Sequence, residues 1–116
     1  MQIKLLKSKI HRATVTDANL DYEGSISIDE SLIEAAGLQL YEKVHVLDIT
    51  NGNRVETYVI KAPRGSKSIC INGAAAHLIK PNDIIIILSY CLVEKETSEE
   101  HSPVFVKVNN ENEIID

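Results

Sequence analysis

The sequence predicts a mainly β fold, a small closed barrel carrying one or two short helices. β-Branched residues dominate its periodic segments. Turn-forming clusters recur at short intervals, at Asn51-Gly52, Pro63-Arg64-Gly65 and Lys80-Pro81-Asn82-Asp83. Only Ser27 to Gly37 reads as a clear helix. Short strands with so little helix favour a barrel over a layered α/β arrangement. The 116 residues give room for one modest core, so one domain over 1–116 is expected, with neither repeat nor linker.

The elements follow in order. Ile3 to Arg12 alternates roughly, and Lys7, Lys9 and His11 share one parity and hence one strand face. Ala13 to Thr16 continues extended, and Asp17 to Gly24 is polar and turn-like. In the helix, Ser27 or Asp29 caps the start and acidic residues fill the first turn. Leu32, Ile33 and Ala36 form its apolar face, and Gly37 stops it. Val44 to Thr50 and Arg54 to Lys61 are strands joined at Asn51-Gly52, a strong hairpin signal. Ser68 to Ile71 is a short strand, Asn72 to His77 a tight turn opening a helical turn, and Ile84 to Val93 the most buried strand. Glu94 to Ser102 is an acidic, solvated loop, Pro103 to Val108 an edge strand, and Asn109 to Asp116 a frayed tail.

Composition narrows the function classes. Hydrophobic residues make up 44% and charged residues 25%, within the globular range. No stretch is long and apolar enough for a membrane helix. Lysines interrupt the first seven residues, so they are no signal peptide. A cytoplasmic protein without membrane attachment is expected. The net charge of −5 opposes general nucleic-acid binding. His11, His45, His77 and His101 have no metal-ligand spacing, so no metal is expected. Cys70 and Cys91 read as small, mostly buried thiols.

Four local features bring chemistry-bearing groups together. Tyr22-Glu23-Gly24-Ser25 reads by itself as a turn with a solvated serine. Lys9 with His11 reads as a solvated strand face. Arg54 and Tyr58 share a face and Thr57 points the other way, as on any polar strand. Asn72-Gly73-Ala74-Ala75-Ala76-His77 reads as a turn whose small side chains would let a ligand approach the backbone. Glycine-rich phosphate loops, dinucleotide fingerprints and the nucleophile elbow are missing.

In order and spacing, these segments closely resemble the bacterial L-aspartate 1-decarboxylase family, which makes β-alanine for pantothenate and hence coenzyme A. The matching segments are Lys9-Ile10-His11-Arg12, Tyr22-Glu23-Gly24-Ser25, Ala35-Ala36-Gly37, Thr50-Asn51-Gly52, Arg54 with Thr57-Tyr58, Arg64-Gly65-Ser66, Asn72 to His77, and Asp83-Ile84-Ile85-Ile86. They run to about Tyr90, and little matches beyond Val93.

The resemblance implies a closed six-stranded double-psi β-barrel that assembles as a homotetramer with sites between subunits. It implies self-cleavage between Gly24 and Ser25 into 1–24, the β chain, and 25–116, the α chain. Ser25 would become a covalent pyruvoyl cofactor, with neither metal nor pyridoxal phosphate. The enzyme would be a carboxy-lyase that holds L-aspartate as a Schiff base and releases β-alanine and carbon dioxide. Thr57 is the family's candidate for polarising the Gly24 carbonyl, while Tyr22 and His11 would help position the loop. Tyr58 would return a proton to the decarboxylated carbon. Lys9 and Arg54 would meet the two substrate carboxylates, in an order left open, and Thr57 also counts among the substrate contacts. Asn72 with the Gly73, Ala74 and Ala75 backbone would hold the rest of the substrate. A maturation helper protein is compatible with this scheme. Two other readings stay open from the residues alone: a non-enzymatic β-barrel binding module, and a relative that folds alike and never matures.

Overall fold

The computed structural model describes residues 1–115. Among them, the order is β1 (Gln2–Thr14), β2 (Asp17–Asn19), β3 (Ser25–Asp29), α1 (Glu30–Ala36), β4 (Lys43–Asp48), β5 (Arg54–Ala62), β6 (Ile69–Asn72), β7 (Ile84–Glu94) and β8 (Val104–Lys107). Single 3-10 turns lie over Gly73–His77 and Lys95–Glu100. The chain is mainly β, as expected.

The strands run β2-β6-β3-β5-β4-β7-β1-β8 across one hydrogen-bonded sheet. There are eight strands, not six, and the end strands do not pair with each other. The chain itself brings the ends round. β1 and β2 sit near opposite ends of the ladder, yet only Val15 and Thr16 separate them. Val15 is buried and its N–H donates to the Asp83 carbonyl at 2.9 Å; the Thr16 N–H donates to the Ile69 carbonyl at 2.8 Å. The sheet therefore curls on itself, enclosing side chains such as Ile10, Ile26, Ile28, Val46, Ile71 and Ile87. Each such burial contributes roughly 1.5–3 kcal/mol.

β1 pairs with β7 along its length, with register shifts at Leu6/Ser8 and His11/Ala13. Arg12 takes φ 65° at the second shift, the left-handed backbone that a bulge uses. The shift at Lys7 breaks the two-residue period, so parity does not carry Lys7 onto the face of Lys9 and His11. Lys7 instead pairs with Glu42 at 2.7 Å.

Several expectations need correction. The predicted helix start at Ser27 is strand: Ile26 and Ile28 alternate into the core, and period-two burial wins over capping. Asp29 is the true cap. Its Oδ1 accepts the Ser31 N–H at 2.8 Å and the Gly65 N–H at 3.0 Å, and Oδ2 accepts the Lys67 N–H at 2.7 Å. Burial alone would raise the Asp29 pKa, but these donors together hold it below the ordinary carboxylate range. Gly37 ends the helix in the left-handed conformation, as predicted. Asp17 to Asn19 is a short strand beside β6 rather than turn. β3 is buried more continuously than β7, whose C-terminal half is largely exposed.

The expected frayed tail is folded through Ile115. Asn112 is buried, accepts the Thr14 N–H at 2.7 Å, and donates to the Thr14 and Lys67 carbonyls, each at 2.9 Å. Its φ of 60° suits asparagine, which tolerates the left-handed region. A bridge pairs Val108 with Ile114. Asp116 lies outside the described residues.

Candidate active site

β3 and β6 run antiparallel, with Ser25 opposite Asn72 and Ser27 opposite Cys70. Ile26, Ile28, Ile69 and Ile71 take the core face, so these four polar side chains share the other face. Ser25 is only 1% exposed and Asn72 3% exposed. The Ser25 hydroxyl donates to the Glu23 carbonyl at 3.0 Å and accepts from Asn72 Nδ2 at 3.0 Å. Asn72 Nδ2 also donates to Ser27 Oγ at 3.0 Å, and Asn72 Oδ1 accepts from Cys70 Sγ at 3.2 Å. Burial, aided by the Asp17 carboxylate, pushes the Cys70 thiol up, which keeps it a donor. Ser25 is thus a buried, oriented hydroxyl rather than the solvated one its surroundings in sequence suggest.

The turn after β6 closes the other side. Gly73 has φ 76°, and a Cβ there would lie 2.7 Å from the Gly24 Cα and 3.2 Å from the Tyr22 carbonyl oxygen. Glycine at 73 lets the 3-10 turn Gly73–His77 press against the Gly24 backbone. Ala74 is exposed and Ala75 half-buried on that turn. Tyr22 contributes its backbone here, and its side chain is exposed.

β5 supplies the neighbouring wall. It runs parallel to β3 with Ile26 opposite Val59. The same register continued toward the N-termini sets Tyr58 level with Ser25 and Thr57 level with Gly24. Both side chains are half-buried, and together with Lys43 and Glu56 they line one open cavity. The Tyr58 ring packs tilted against Tyr41, with centroids 6.3 Å apart.

The remaining candidates lie elsewhere in the chain. Arg54 shares the strand face of Tyr58, but lies four positions, about 13 Å, along the strand from it. Lys9 and His11 sit on β1, with β7, β4 and β5 intervening before β3. The Lys9 ammonium stands 5.8 Å from the Phe105 ring centroid. His11 Nδ1 is buried without a hydrogen-bond partner among the described residues. Burial first, then Lys9, Arg12 and Lys107, lowers the His11 pKa. Opposite Lys9 on β8 the sheet exposes Phe105. Within one chain, then, Gly24, Ser25, Thr57, Tyr58, Asn72 and Gly73 converge, whereas no hydrogen bond among the described residues ties Lys9, His11 or Arg54 to them.

Sequence reading missed three residues. The sequence puts Ser27 at a helix start and reads Cys70 as a small, mostly buried thiol; the period-two pairs Ser25/Ser27 and Cys70/Asn72 are the available signal. Asp48 was also overlooked. It is 2% exposed, and its Oδ1 accepts the Thr50 N–H at 2.8 Å while Oδ2 has no donor. Burial, and the adjoining Asp83 carboxyl, push its pKa up to about 6. It lines a cavity with Asn53 and Arg54. Among the described residues, no three His, Cys, Asp or Glu side chains are grouped to hold a metal ion, and no helix is long and apolar enough to cross a membrane.

A family model described as aspartate decarboxylase matches residues 1–115. The aspartate 1-decarboxylase of Acetivibrio thermocellus is 59% identical over 115 residues, covering 99% of this chain and 91% of that relative. That of Caldicellulosiruptor saccharolyticus is 57% identical, covering 99% and 90%. That of Syntrophus aciditrophicus is 57% identical over 114 residues, covering 98% of both. Among solved structures, the rationally designed mkDPBB_sym1 protein aligns with 75% of this chain and 96% of its own, at TM-score 0.48 and 15% identity.

Proposed function

The chain belongs to the aspartate decarboxylase family, and from that premise we propose that it cuts itself after Gly24, converts Ser25 into a pyruvoyl group and uses it to decarboxylate L-aspartate to β-alanine. The enzyme is an aspartate 1-decarboxylase. The observation that carries the maturation reading is the buried Ser25 hydroxyl, held between the Glu23 carbonyl and the Asn72 amide.

The surroundings fit a small ketone at position 25. Asn72 Nδ2 already points a donor there, and the Gly73 turn leaves no room for a side chain against Gly24. Ser25 Oγ attacks the Gly24 carbonyl carbon one bond upstream, and the amide nitrogen leaves it, giving an ester. Glycine keeps that carbonyl unshielded. Thr57, level with Gly24 when the β3–β5 register is continued, donates to the carbonyl oxygen as charge develops on it. Loss of the Ser25 Cα proton expels 1–24 as a carboxylate. Water then replaces the freed nitrogen, which departs as ammonia.

The resulting ketone supplies an electron sink for the electrons left when carbon dioxide departs. Tyr58, level with position 25, returns the proton to the substrate carbon. The Gly73–Ala75 backbone and Asn72 hold the substrate from the opposite side. Lys9 and Arg54 neutralise its carboxylates, each charge-assisted bond being worth about 1.5–3 kcal/mol. The place of Arg54 four positions along β5 from Tyr58, and of Lys9 on a strand that pairs with neither β3 nor β5, supports a site completed across a subunit boundary, in a cytoplasmic homotetramer. The exposed Phe105 opposite Lys9 supports such a contact.

Mass spectrometry tests these steps together. Denatured protein should give two fragments split after Gly24, the larger lighter by one ammonia than its hydrolysis product. Ser25→Ala should remain one intact, inactive chain. Native spectra should show four times the 12.9 kDa chain mass. An uncut wild-type chain would remove the maturation reading and favour a binding module.

A further inference from the structure

We infer that Cys70 and Ser27 are positioning residues that clamp the Asn72 amide, so that Asn72 presents a fixed donor to position 25 both before and after Ser25 is converted. The inference rests on the maturation reading above and adds two residues that reading does not use.

The placement follows from strand pairing. Ser25 faces Asn72 and Ser27 faces Cys70 across one antiparallel pair, with all four side chains on the same face. A side-chain amide has two N–H donors on one end and an oxygen on the other. Here each is engaged: one N–H on Ser25 Oγ, one on Ser27 Oγ, and the oxygen accepting from Cys70 Sγ. The thiol donates, and a flipped amide would turn an N–H toward the weakly accepting sulfur and its oxygen toward the Ser25 hydroxyl, whose own proton is already given to the Glu23 carbonyl. The raised thiol pKa keeps Cys70 in its donating form through neutral pH.

Maturation makes the two outer contacts matter. Conversion removes the Ser25 hydroxyl, and with it one of the three contacts holding the amide. Ser27 and Cys70 remain, on strands whose alternate residues Ile26, Ile28, Ile69 and Ile71 are locked in the core. The donor aimed at position 25 thus survives the loss of its first acceptor and meets the oxygen that replaces it. Without the clamp the buried amide can rotate, and the group at position 25 loses a fixed partner in both stages.

The test follows self-cleavage of purified full-length precursor by intact mass, together with kcat and KM for aspartate in matured protein. Ser27→Ala and Cys70→Ala should each slow cleavage about three- to tenfold, as expected for loss of one buried hydrogen bond. They should lower kcat by a similar factor, with KM for aspartate rising by no more than that, since the amide meets both the group at position 25 and the substrate. Cys70→Ser, which keeps a donor, should recover most of the loss seen with alanine. Side-chain amide proton exchange at Asn72 should accelerate in both alanine variants while the core backbone amides of β3 and β6 keep their wild-type rates, whereas general destabilisation would accelerate all of them. Wild-type cleavage with both alanine variants cleaving equally fast would overturn the clamp and leave the maturation reading intact. An equal loss with Cys70→Ser and Cys70→Ala would also overturn it. No cleavage in wild type would overturn the maturation reading itself.

Discussion

Gly73 is the residue on which two backbones meet. Alanine there would set a methyl 2.7 Å from the Gly24 Cα and force an L-residue to φ 76°. Gly73→Ala is expected to cost about 1–3 kcal/mol, read as a fall in the urea midpoint, and to abolish the split after Gly24 in intact-mass spectra. A variant that splits normally would show that this contact does not shape the loop. How much of such detail the sequence reveals depends on the kind of contact. Gly24, Ser25, Asn72 and Gly73 were legible because they lie in compact motifs. Ser27 and Cys70 were not, because their meaning arises only when strands 45 residues apart come into register. Ser25 was read as solvated for the same reason: what covers it comes from β6 and the following turn.

At the scale of elements, the β4–β5 turn depends on Asp48, whose Oδ1 holds the Thr50 and Asn51 N–H groups and whose carboxyl adjoins Asp83. Folded Asp48 keeps a proton up to about pH 6, whereas the unfolded chain releases it near the ordinary aspartate value. Between those values the folded state binds more protons, so stability falls as pH rises through that window. Asp48→Asn removes this cost and offers a permanent donor to Asp83. Urea unfolding should show it about 1–3 kcal/mol more stable than wild type above neutral pH, with the gap closing toward pH 4. A gap that persists at low pH would mean the carboxyl pair is not its source. The turn itself was readable, since Asn51-Gly52 announces it. The helix was readable from Asp29 to Gly37, where cap, apolar face and stop agree. Its false extension to Ser27 came from capping chemistry that the alternation of Ile26 and Ile28 overrides.

For the molecule as a whole, alternation and turn chemistry disclosed a mainly β chain, but not which strands neighbour one another. The pairing of β1 with both β7 and β8, and the meeting of ladder ends at Val15 and Thr16, are long-range outcomes of core burial. The tail shows this most clearly: a polar segment that looks frayed in isolation is tied down by Asn112 to two distant segments. Asn112→Ala should lower stability by about 2–4 kcal/mol, measured as a reduced urea midpoint, because three backbone groups lose their partner. An unchanged midpoint would mean that these groups are satisfied otherwise. The position of β1, interior to the sheet yet wholly upstream of Gly24, has a further consequence. A cut chain is a heterodimer whose smaller member spans the larger one's core and has no fold to retreat to. Its denaturation would run as a first-order escape and its recovery as a second-order encounter, so dilution alone would slow recovery and lower the apparent stability.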